Sequence, residues 1–415
     1  MSTPGGAMNG SAVEIGAEGH RSYRVWRRIT KSALFGIWFP ALVYLVTRLH
    51  GVLVLSVLSS RQPALGVGTK PGYFVFSPLP AAPGYWGVIT NWDGQWYKYI
   101  ATEGYRLTSS WPVTDMEVIH AWAFPPIFPY AVRSLMGFGM TFEIAATALN
   151  FTAGLVAMIL LYRLLSDAGG PRTAIVGVVV LNSFPSAALF QTAYSEATAF
   201  ALLMGVLLLA RRKKYWWASA VVVALSLTRI ITAPLAIVAV VQALDSLRAR
   251  VPISRRESIG RAVFAASALG ASMLWSALST LAARQTTGAQ SRPAKILAGN
   301  GNWFVDSYEL LGGAGPILVA LGLTVLVLLS LRDQARLWGL EARTWLWAYP
   351  LYLALVTPIT SGIIRYLLLC FPLGLVSVGG RKQVWIASAS TIAGLLLQWW
   401  WVRYSFIVGP GTVMP

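Results

Sequence analysis

Apolar segments about as long as a bilayer is thick recur along the whole chain, and residues 32–59 are the first of them. A helix needs about 20 residues to cross the hydrocarbon core of a membrane. Within lipid, a segment must satisfy its own backbone hydrogen bonds, which excludes open sheets and irregular loops. The sequence therefore predicts an all-α fold, a polytopic transmembrane helical bundle of about 9–12 spans, some of them short or broken.

The distribution of charge agrees with a membrane protein. Only 12% of the 415 residues are charged, whereas a soluble domain has about a quarter. The formal net charge of +18 could indicate a nucleic-acid partner, but the basic residues lie in short connectors between apolar runs. This placement is typical of cytoplasmic loops, so we expect membrane lipids and no nucleic acid as partners. The basic connectors are Arg21–Lys31, Arg211–Lys214, Arg248–Arg261, Arg332–Arg343 and Arg381-Lys382.

The order of polar and apolar segments predicts the layout of the chain. Residues 1–30 are expected to form a disordered cytoplasmic tail, 31–403 the transmembrane domain and 404–415 a C-terminal tail. The first apolar run is too long for a cleavable signal peptide. Two large loops are expected on the outside, at 60–120 and 284–314. The first loop is longer than ordinary connections, which favours a functional role.

The basic connectors also predict broken helices. Basic connectors on both sides of residues 174–210 must lie on the same side of the membrane. This run must therefore form a hairpin with Tyr194-Ser195-Glu196 outside. By the same reasoning, 216–244 must turn near Thr228-Arg229, and the Pro-rich segment 123–140 must not cross fully.

Charged and aromatic residues collect in the segments predicted to lie outside. Residues 92–105 combine Asp93 and Glu103 with aromatic side chains at helical spacing, which predicts a helix lying along the outer leaflet. A carboxylate there could act as a general base, and arginines could stabilise a leaving phosphate. Alternatively, the acids are merely solvated and the aromatics anchor the chain at the interface. Further charged residues expected on this face are Asp115, Glu117, His120, Glu196, Arg229 and Arg365.

Arg48 interrupts the first apolar run. An ionisable residue within the membrane indicates function by default. A helix that begins near Ile29 would instead place Arg48 at the outer interface as an anchor, and both interpretations stay open. We expect no metal site, because the sequence has only three histidines and neither an Asp-x-Asp pair nor two histidines at ligand spacing.

Five short motifs follow one another along the chain. They are W-D-G-x-x-Y-x-x-I-A-x-x-G-Y (92–105), A-F-P-P-I-F-P (123–129), F-P-S-A-x-x-F-x-x-x-Y-S-E (184–196), L-T-R (227–229) and R-Y-L-L-L-x-F-P (365–372). Together and in this order they resemble the PIG-V family of mannosyltransferases, membrane enzymes of the GT-C superfamily. In eukaryotes this family adds the second mannose of the glycosylphosphatidylinositol anchor from dolichol-phosphate-mannose, and bacterial relatives exist. One departure is Pro125, which stands where the family usually has a second Phe.

The resemblance implies a GT-C-type fold and an inverting transfer of mannose from a polyprenyl-phosphate-mannose donor. The acceptor would be a glycolipid, polysaccharide or protein. Asp93 matches the acidic residue that GT-C enzymes use as catalytic base in their first outside loop. No cofactor or metal is implied. Cationic candidates for binding the donor phosphate are Arg229, Arg365 and Arg48, and candidates for the substrate pocket are Trp92, Tyr97, Glu103, Tyr105, Tyr194, Glu196 and Tyr366.

Other functions remain compatible with the same sequence. A GT-C enzyme could use another lipid-linked sugar, such as glucose or arabinofuranose. Less expected alternatives are a lipid or solute transporter, which would bury its charges at mid-membrane, and a non-catalytic protein of envelope assembly. Arg outnumbers Lys, and Ala and Gly are abundant, which suggests a GC-rich bacterial genome. We therefore expect a multi-pass protein of the bacterial plasma membrane with its active site on the extracytoplasmic face.

Overall fold

The fold is described from a computed structural model. It describes residues 32, 34–70, 73–106, 121–286, 302–360, 362–372 and 383–409. The predicted N-terminal tail (1–30) lies outside these residues. So do Asp115, Glu117 and His120 of the first loop and residues 287–301 of the second.

Helices dominate the described part of the chain, as predicted. Four of them are long and apolar enough to cross a membrane: α1 (Phe35–Ser59), α5 (Phe142–Gly169), most of α10 (Arg255–Thr286) and α12 (Ala314–Leu331). Helix α12 is exposed or half-buried along its length, and only Gly315 and Ser330 are buried on it. An apolar helix exposed on most of its surface is stable when lipid surrounds it. The chain is therefore an all-α, multi-pass membrane protein.

Shorter elements connect and support these spans. The helices are α2 (Gly84–Val88), α3 (Asp93–Glu103), α4 (Ile127–Met136), α6 (Pro171–Asn182), α7 (Glu196–Arg211), α8 (Tyr215–Ser226), α9 (Pro234–Arg248), α11 (Trp303–Leu311), α13 (Leu340–Val356), α14 (Ile363–Leu367) and α15 (Gln383–Trp401). Two 3₁₀ segments (Ala187–Gln191 and Asp333–Trp338) and a π-helical turn (Val402–Phe406) complete the set.

The breaks predicted from the basic connectors are present. The chain reverses between α6 and α7. As a result, Arg211 at the end of α7 donates to the carbonyl of Asp167, just before α6 (2.8 Å). It reverses again between α8 and α9, since the hydroxyl of Tyr215, the first residue of α8, contacts Gln242 in the second half of α9 (3.3 Å). Proline at the first position of α6 and of α9 fits the start of a helix, since proline lacks the N–H that this position leaves unpaired. Both reversals bring polar residues together at one end of the bundle.

The first outside loop differs from its prediction in two respects. It contains a short antiparallel hairpin, in which β1 (Gly68–Lys70) pairs with β2 (Tyr73–Val75). In addition, the aromatic face of α3 is buried in protein rather than laid on lipid: Trp96 packs on Phe76 with ring centroids 4.6 Å apart. The aromatic spacing predicted an apolar face correctly. It could not distinguish a lipid surface from a protein surface, because both bury the same side chains.

Part of the predicted C-terminal tail (404–415) packs into the bundle. Ser405, Phe406 and Ile407 are buried, and the Phe406 carbonyl accepts from the Trp92 ring N–H (2.8 Å). The same carbonyl accepts from the Asn91 side-chain amide (3.1 Å). Residues up to 409 therefore belong to the transmembrane domain, because they satisfy polar groups of the W-D-G motif.

The topology can be tested with single cysteines on a Cys370→Ser background, since Cys370 is the only cysteine and is buried. Ala81→Cys lies in the first loop and Ala249→Cys follows α9, and both positions are exposed. We expect an impermeant maleimide to label Ala81→Cys on intact cells and Ala249→Cys only after permeabilisation. Labelling of Ala249→Cys on intact cells would contradict the orientation inferred from the basic connectors.

Candidate functional site

Four charged residues from four of the five motifs meet in one buried cluster. Arg365 on α14 donates from Nη1 to Oδ2 of Asp93 (2.6 Å). Arg229, in the break between α8 and α9, donates from Nη1 to Oε1 of Glu196 (2.9 Å). The Nε of Arg365 also lies 3.4 Å from that oxygen, an ion-pair distance without hydrogen-bond geometry. We call Asp93, Glu196, Arg229 and Arg365 the charge cluster.

Burial within the charge cluster is uneven. The Glu196 side chain is fully buried, whereas the Asp93 side chain is 24% exposed. Removing charged groups from water costs several kcal/mol per ion, and their mutual attraction rarely returns more than that. Two carboxylates and two guanidinium groups balance in charge, which makes their burial tolerable. It does not explain why they are retained, so the cluster is a strong candidate for function.

Helix ends place both carboxylates. Asp93 is the first residue of α3 and Glu196 the first residue of α7. The N-terminus of a helix carries a partial positive charge that favours a carboxylate. Broken helices therefore place helix termini in the interior of the bundle, which a continuous span cannot do.

Trp92 precedes α3 in a strained conformation, with φ of 55° and ψ of −117°. A positive φ is costly for a residue with a bulky side chain and persists where the surroundings enforce it. Here the indole N–H is fixed on the Phe406 carbonyl, and the Tyr194 hydroxyl accepts from the Asp93 backbone N–H (3.2 Å). Tyr194 also donates to the Asn91 carbonyl (2.9 Å). These contacts fix the direction in which the Asp93 carboxylate points.

Tyrosines surround the cationic half of the charge cluster. The Tyr366 ring lies 5.5 Å from the guanidinium carbon of Arg229 and 5.2 Å from that of Arg365, within the range of cation–π attraction. The Tyr97 hydroxyl shares a 2.8 Å hydrogen bond with Ser195. Burial raises the pKa of Tyr97 well above its usual range, and the negative charge of Glu196 raises it further. Tyr97 therefore stays neutral beside the cluster.

A cavity of about 350 Å³ opens beside the charge cluster. Asp93, Tyr97, Arg229 and Tyr366 line its polar end, whereas Glu196 is sealed behind them. Its remaining walls are mostly apolar. They include Phe124 and Pro125 of the Pro-rich motif, Ile230 and Ile231 after the L-T-R motif, Met273 of α10, and Leu353 and Val356 of α13.

Arg48, predicted as a third phosphate ligand, is engaged elsewhere. It is buried within α1 and donates to the carbonyl oxygens of Ala187 and Asn182, the latter at 3.4 Å. The Tyr44 and Phe190 rings flank its guanidinium group at 5.1 and 5.6 Å. Arg48 therefore satisfies the carbonyls freed where α6 ends. The position of Arg48 within an apolar run correctly predicted a buried charge, but the sequence could not show which groups it contacts.

Glu103 and Tyr105, both predicted for the substrate pocket, also lie outside the cavity lining. Glu103 is exposed and pairs with Arg106 on the surface of α3. The Tyr105 hydroxyl donates to the Phe124 carbonyl (2.7 Å) and so supports the Pro-rich motif from behind. Glu103 lies at the opposite end of α3 from Asp93, and Tyr105 follows the end of the helix, so neither side chain belongs to the charge cluster. Of the other pocket candidates, Tyr97 and Tyr366 line the cavity, and Trp92, Tyr194 and Glu196 hold its charged end in place.

Two tyrosines of α13 were not predicted from the sequence. Tyr349 and Tyr352 line the cavity, and their hydroxyls donate to the carbonyls of Tyr366 (3.2 Å) and Ile230 (2.9 Å). They lie three residues apart, on one face of a helix. This pair of tyrosines at helical spacing in an otherwise apolar run is the feature of the sequence that could have predicted them as cavity residues.

A scan against protein-family models finds no match for this chain, and a search of curated proteins finds no significantly similar sequence. No group of three or more metal-ligating side chains occurs among the residues that the structure describes.

The stability of the charge cluster can be tested with a double-mutant cycle. Glu196→Gln leaves two buried guanidinium groups against one carboxylate, so we expect a loss of about 3–5 kcal/mol, seen as a lower thermal midpoint in detergent. Glu196→Gln/Arg229→Gln should lose clearly less than the sum of the two single variants, because the partners are removed together.

The exposed pair Glu103 and Arg106 provides the matched control. The corresponding Gln variants should change stability little and without coupling, since exposed ion pairs contribute about 0–1 kcal/mol. Additive effects of Glu196→Gln and Arg229→Gln would contradict the buried pairing.

Proposed function

We propose that this protein is a membrane glycosyltransferase of the PIG-V type, which transfers mannose from a polyprenyl-phosphate-mannose donor to an acceptor outside the bacterial plasma membrane. One observation carries the proposal: the charged residues of four motifs meet in one cluster, and two of them, Asp93 and Arg229, line the polar end of a cavity whose other walls are mostly apolar. Such a cavity suits a donor that has a sugar phosphate at one end and an isoprenoid chain at the other.

Exposure favours Asp93 over Glu196 as the general base. A base must come within hydrogen-bond reach of the acceptor hydroxyl. The Asp93 carboxylate lines the cavity, whereas the Glu196 carboxylate is fully buried and held by Arg229. Glu196 accordingly serves as a counter-ion that positions the arginines.

The proposed reaction is a single displacement. The acceptor oxygen attacks C1 of a β-linked mannosyl phosphate while its proton passes to the Asp93 carboxylate. The bond between C1 and the phosphate oxygen breaks, its electron pair stays on that oxygen, and the product is an α-mannoside. The leaving polyprenyl phosphate gains negative charge. Arg229 lines the cavity and would stabilise that charge, and Arg365, which is bonded to Asp93 of the cavity wall, would be the second cation.

The ion pair between Arg365 and Asp93 suggests how binding of the donor phosphate is linked to proton transfer from the acceptor. The guanidinium group of Arg365 donates to Oδ2 of Asp93. A bound phosphate would compete for the same guanidinium group, since charged oxygens make strong bonds to arginine. Donor binding would thereby free the Asp93 carboxylate to accept a proton. The base would become available only when the donor is present.

Asp93→Asn tests the base directly. The amide keeps the size of the side chain and its place beside Arg365, but it cannot take a proton. We expect transfer of radiolabelled mannose by the purified protein to fall about 10²–10⁴-fold. Glu103→Gln is the matched control, because it makes the same change on the exposed side of α3 and should leave the rate unchanged. Near-normal transfer by Asp93→Asn would remove Asp93 from the mechanism.

Arg365→Lys tests stabilisation of the leaving phosphate. Lysine keeps a positive charge in the buried cluster, so the fold should survive, but it cannot bond the phosphate and Asp93 with the same geometry. We expect the turnover rate to fall about 10²–10³-fold, as on loss of one oriented donor at a developing anion. Arg106→Lys, on the surface, is the control and should behave as wild type. Equal rates for the two variants would contradict the role of Arg365.

The sugar can be identified with purified protein and a panel of polyprenyl-phosphate sugars. We expect release of polyprenyl phosphate from the mannosyl donor, and mass analysis of the membrane fraction should identify the mannosylated acceptor. Turnover only with a glucosyl or arabinofuranosyl donor would keep the mechanism and change the sugar. Transport of the donor without cleavage would contradict an enzyme altogether.

A further inference from the structure

A second cavity, of about 560 Å³, lies at the other end of the bundle from Asp93. Helix α7 connects the two regions: its 16 residues run from Glu196 in the charge cluster to Arg211. That length corresponds to about 24 Å. The lining residues come from the start of α8 and from the segment that leads into α10, and they are Lys213, Lys214, Tyr215, Trp216, Trp217, Ser254, Arg256, Glu257 and Gly260.

Two of the cations in this cavity lack an anionic partner. Lys213 pairs with Glu257 (3.1 Å), and Glu257 also holds Arg261 (2.9 Å). Lys214 and Arg256 have no carboxylate partner among the residues that the structure describes. The cavity therefore carries an excess of positive charge that the fold itself does not balance.

The basic residues just before the cavity provide a comparison. Arg211 pairs with Glu341 (3.0 Å) and Arg212 with Asp167 (3.0 Å). In the basic run that ends at Lys214, three consecutive residues are thus neutralised by acids of the chain. The fourth, Lys214, faces the cavity instead.

Two exposed tryptophans stand beside these cations. Trp216 and Trp217 are 51% and 69% exposed, although both lie in the first turn of α8, which enters the apolar bundle. Tryptophan favours the boundary between headgroups and acyl chains. Gly260 allows the close approach of α10 to the start of α8, because a Cβ there would lie only 3.3 Å from the Cβ of Tyr215. The cavity therefore combines unbalanced cations with apolar rings at the level of a membrane surface.

We propose that this cavity binds the headgroup of an anionic phospholipid. Lys214 and Arg256 would contact the phosphate, and the acyl chains would lie along Trp216 and Trp217. Basic pockets between transmembrane helices at a membrane surface suit such headgroups. A soluble anion would contact the cations only. A lipid would contact both the cations and the exposed indole rings, so the cavity favours a lipid. The site is independent of the proposed transfer reaction, because it lies about 24 Å from the charge cluster.

Native mass spectrometry of the detergent-purified protein tests this site. Phosphatidylglycerol and phosphatidylcholine are titrated onto wild type and onto Lys214→Gln/Arg256→Gln. We expect wild type to prefer phosphatidylglycerol, and the double variant to bind it about 30-fold more weakly, since two basic contacts near an anionic headgroup are lost. Arg248→Gln/Arg332→Gln removes the same charge from exposed positions at the same end and should bind as wild type.

Two outcomes would overturn the proposal. One is equal phosphatidylglycerol binding by the cavity variant and the control variant. The other is displacement of phosphatidylglycerol by inorganic phosphate at comparable concentration, which would indicate a site for a free anion. The thermal midpoints of both double variants should match wild type, because all four side chains are exposed. A change in lipid binding can then be separated from loss of the fold.

Discussion

The ion pairs that Arg365 makes with Asp93 and Glu196 are the interaction on which the rest of the site depends. Arg365 bonds the one carboxylate that reaches the cavity and lies beside the one that does not. Glu196 in turn holds Arg229, so four motifs are joined through charge alone. Buried charges without partners would destabilise the bundle by several kcal/mol each. The fold therefore requires all four residues together, and the same requirement fixes their geometry for chemistry.

Broken helices are the structural condition for this cluster. A continuous apolar span satisfies its own backbone and offers lipid only side chains. By reversing between α6 and α7 and between α8 and α9, the chain places helix termini and Arg229 inside the bundle. A transporter could use similar breaks. The strained Trp92, the partly exposed Asp93 carboxylate and the largely apolar cavity beside it support the proposed enzyme, because a base fixed at one wall of a cavity would serve a reaction rather than passage.

Sequence patterns predicted much of this arrangement and failed for identifiable reasons. Length and apolarity predicted the helices, and the basic connectors predicted both reversals. Composition could not tell that Arg48 satisfies carbonyls rather than a ligand, or that the Phe406 carbonyl accepts from Trp92, because both depend on distant partners. Asp93 and Arg365 are separated by 272 positions, and only their place in the same set of motifs indicated a contact between them. Tyr349 and Tyr352 were missed because a tyrosine pair in an apolar run has no fixed partner until the fold supplies one.

The most direct measurement is a cryo-EM structure of the protein with polyprenyl phosphate, the product common to any transfer from such a donor. We predict phosphate oxygens about 3 Å from the guanidinium nitrogens of Arg229 and Arg365. We also predict that the Asp93 carboxylate is no longer bonded to Arg365. A lipid phosphate bound away from the charge cluster, with the pair between Asp93 and Arg365 intact, would contradict the proposed catalytic site.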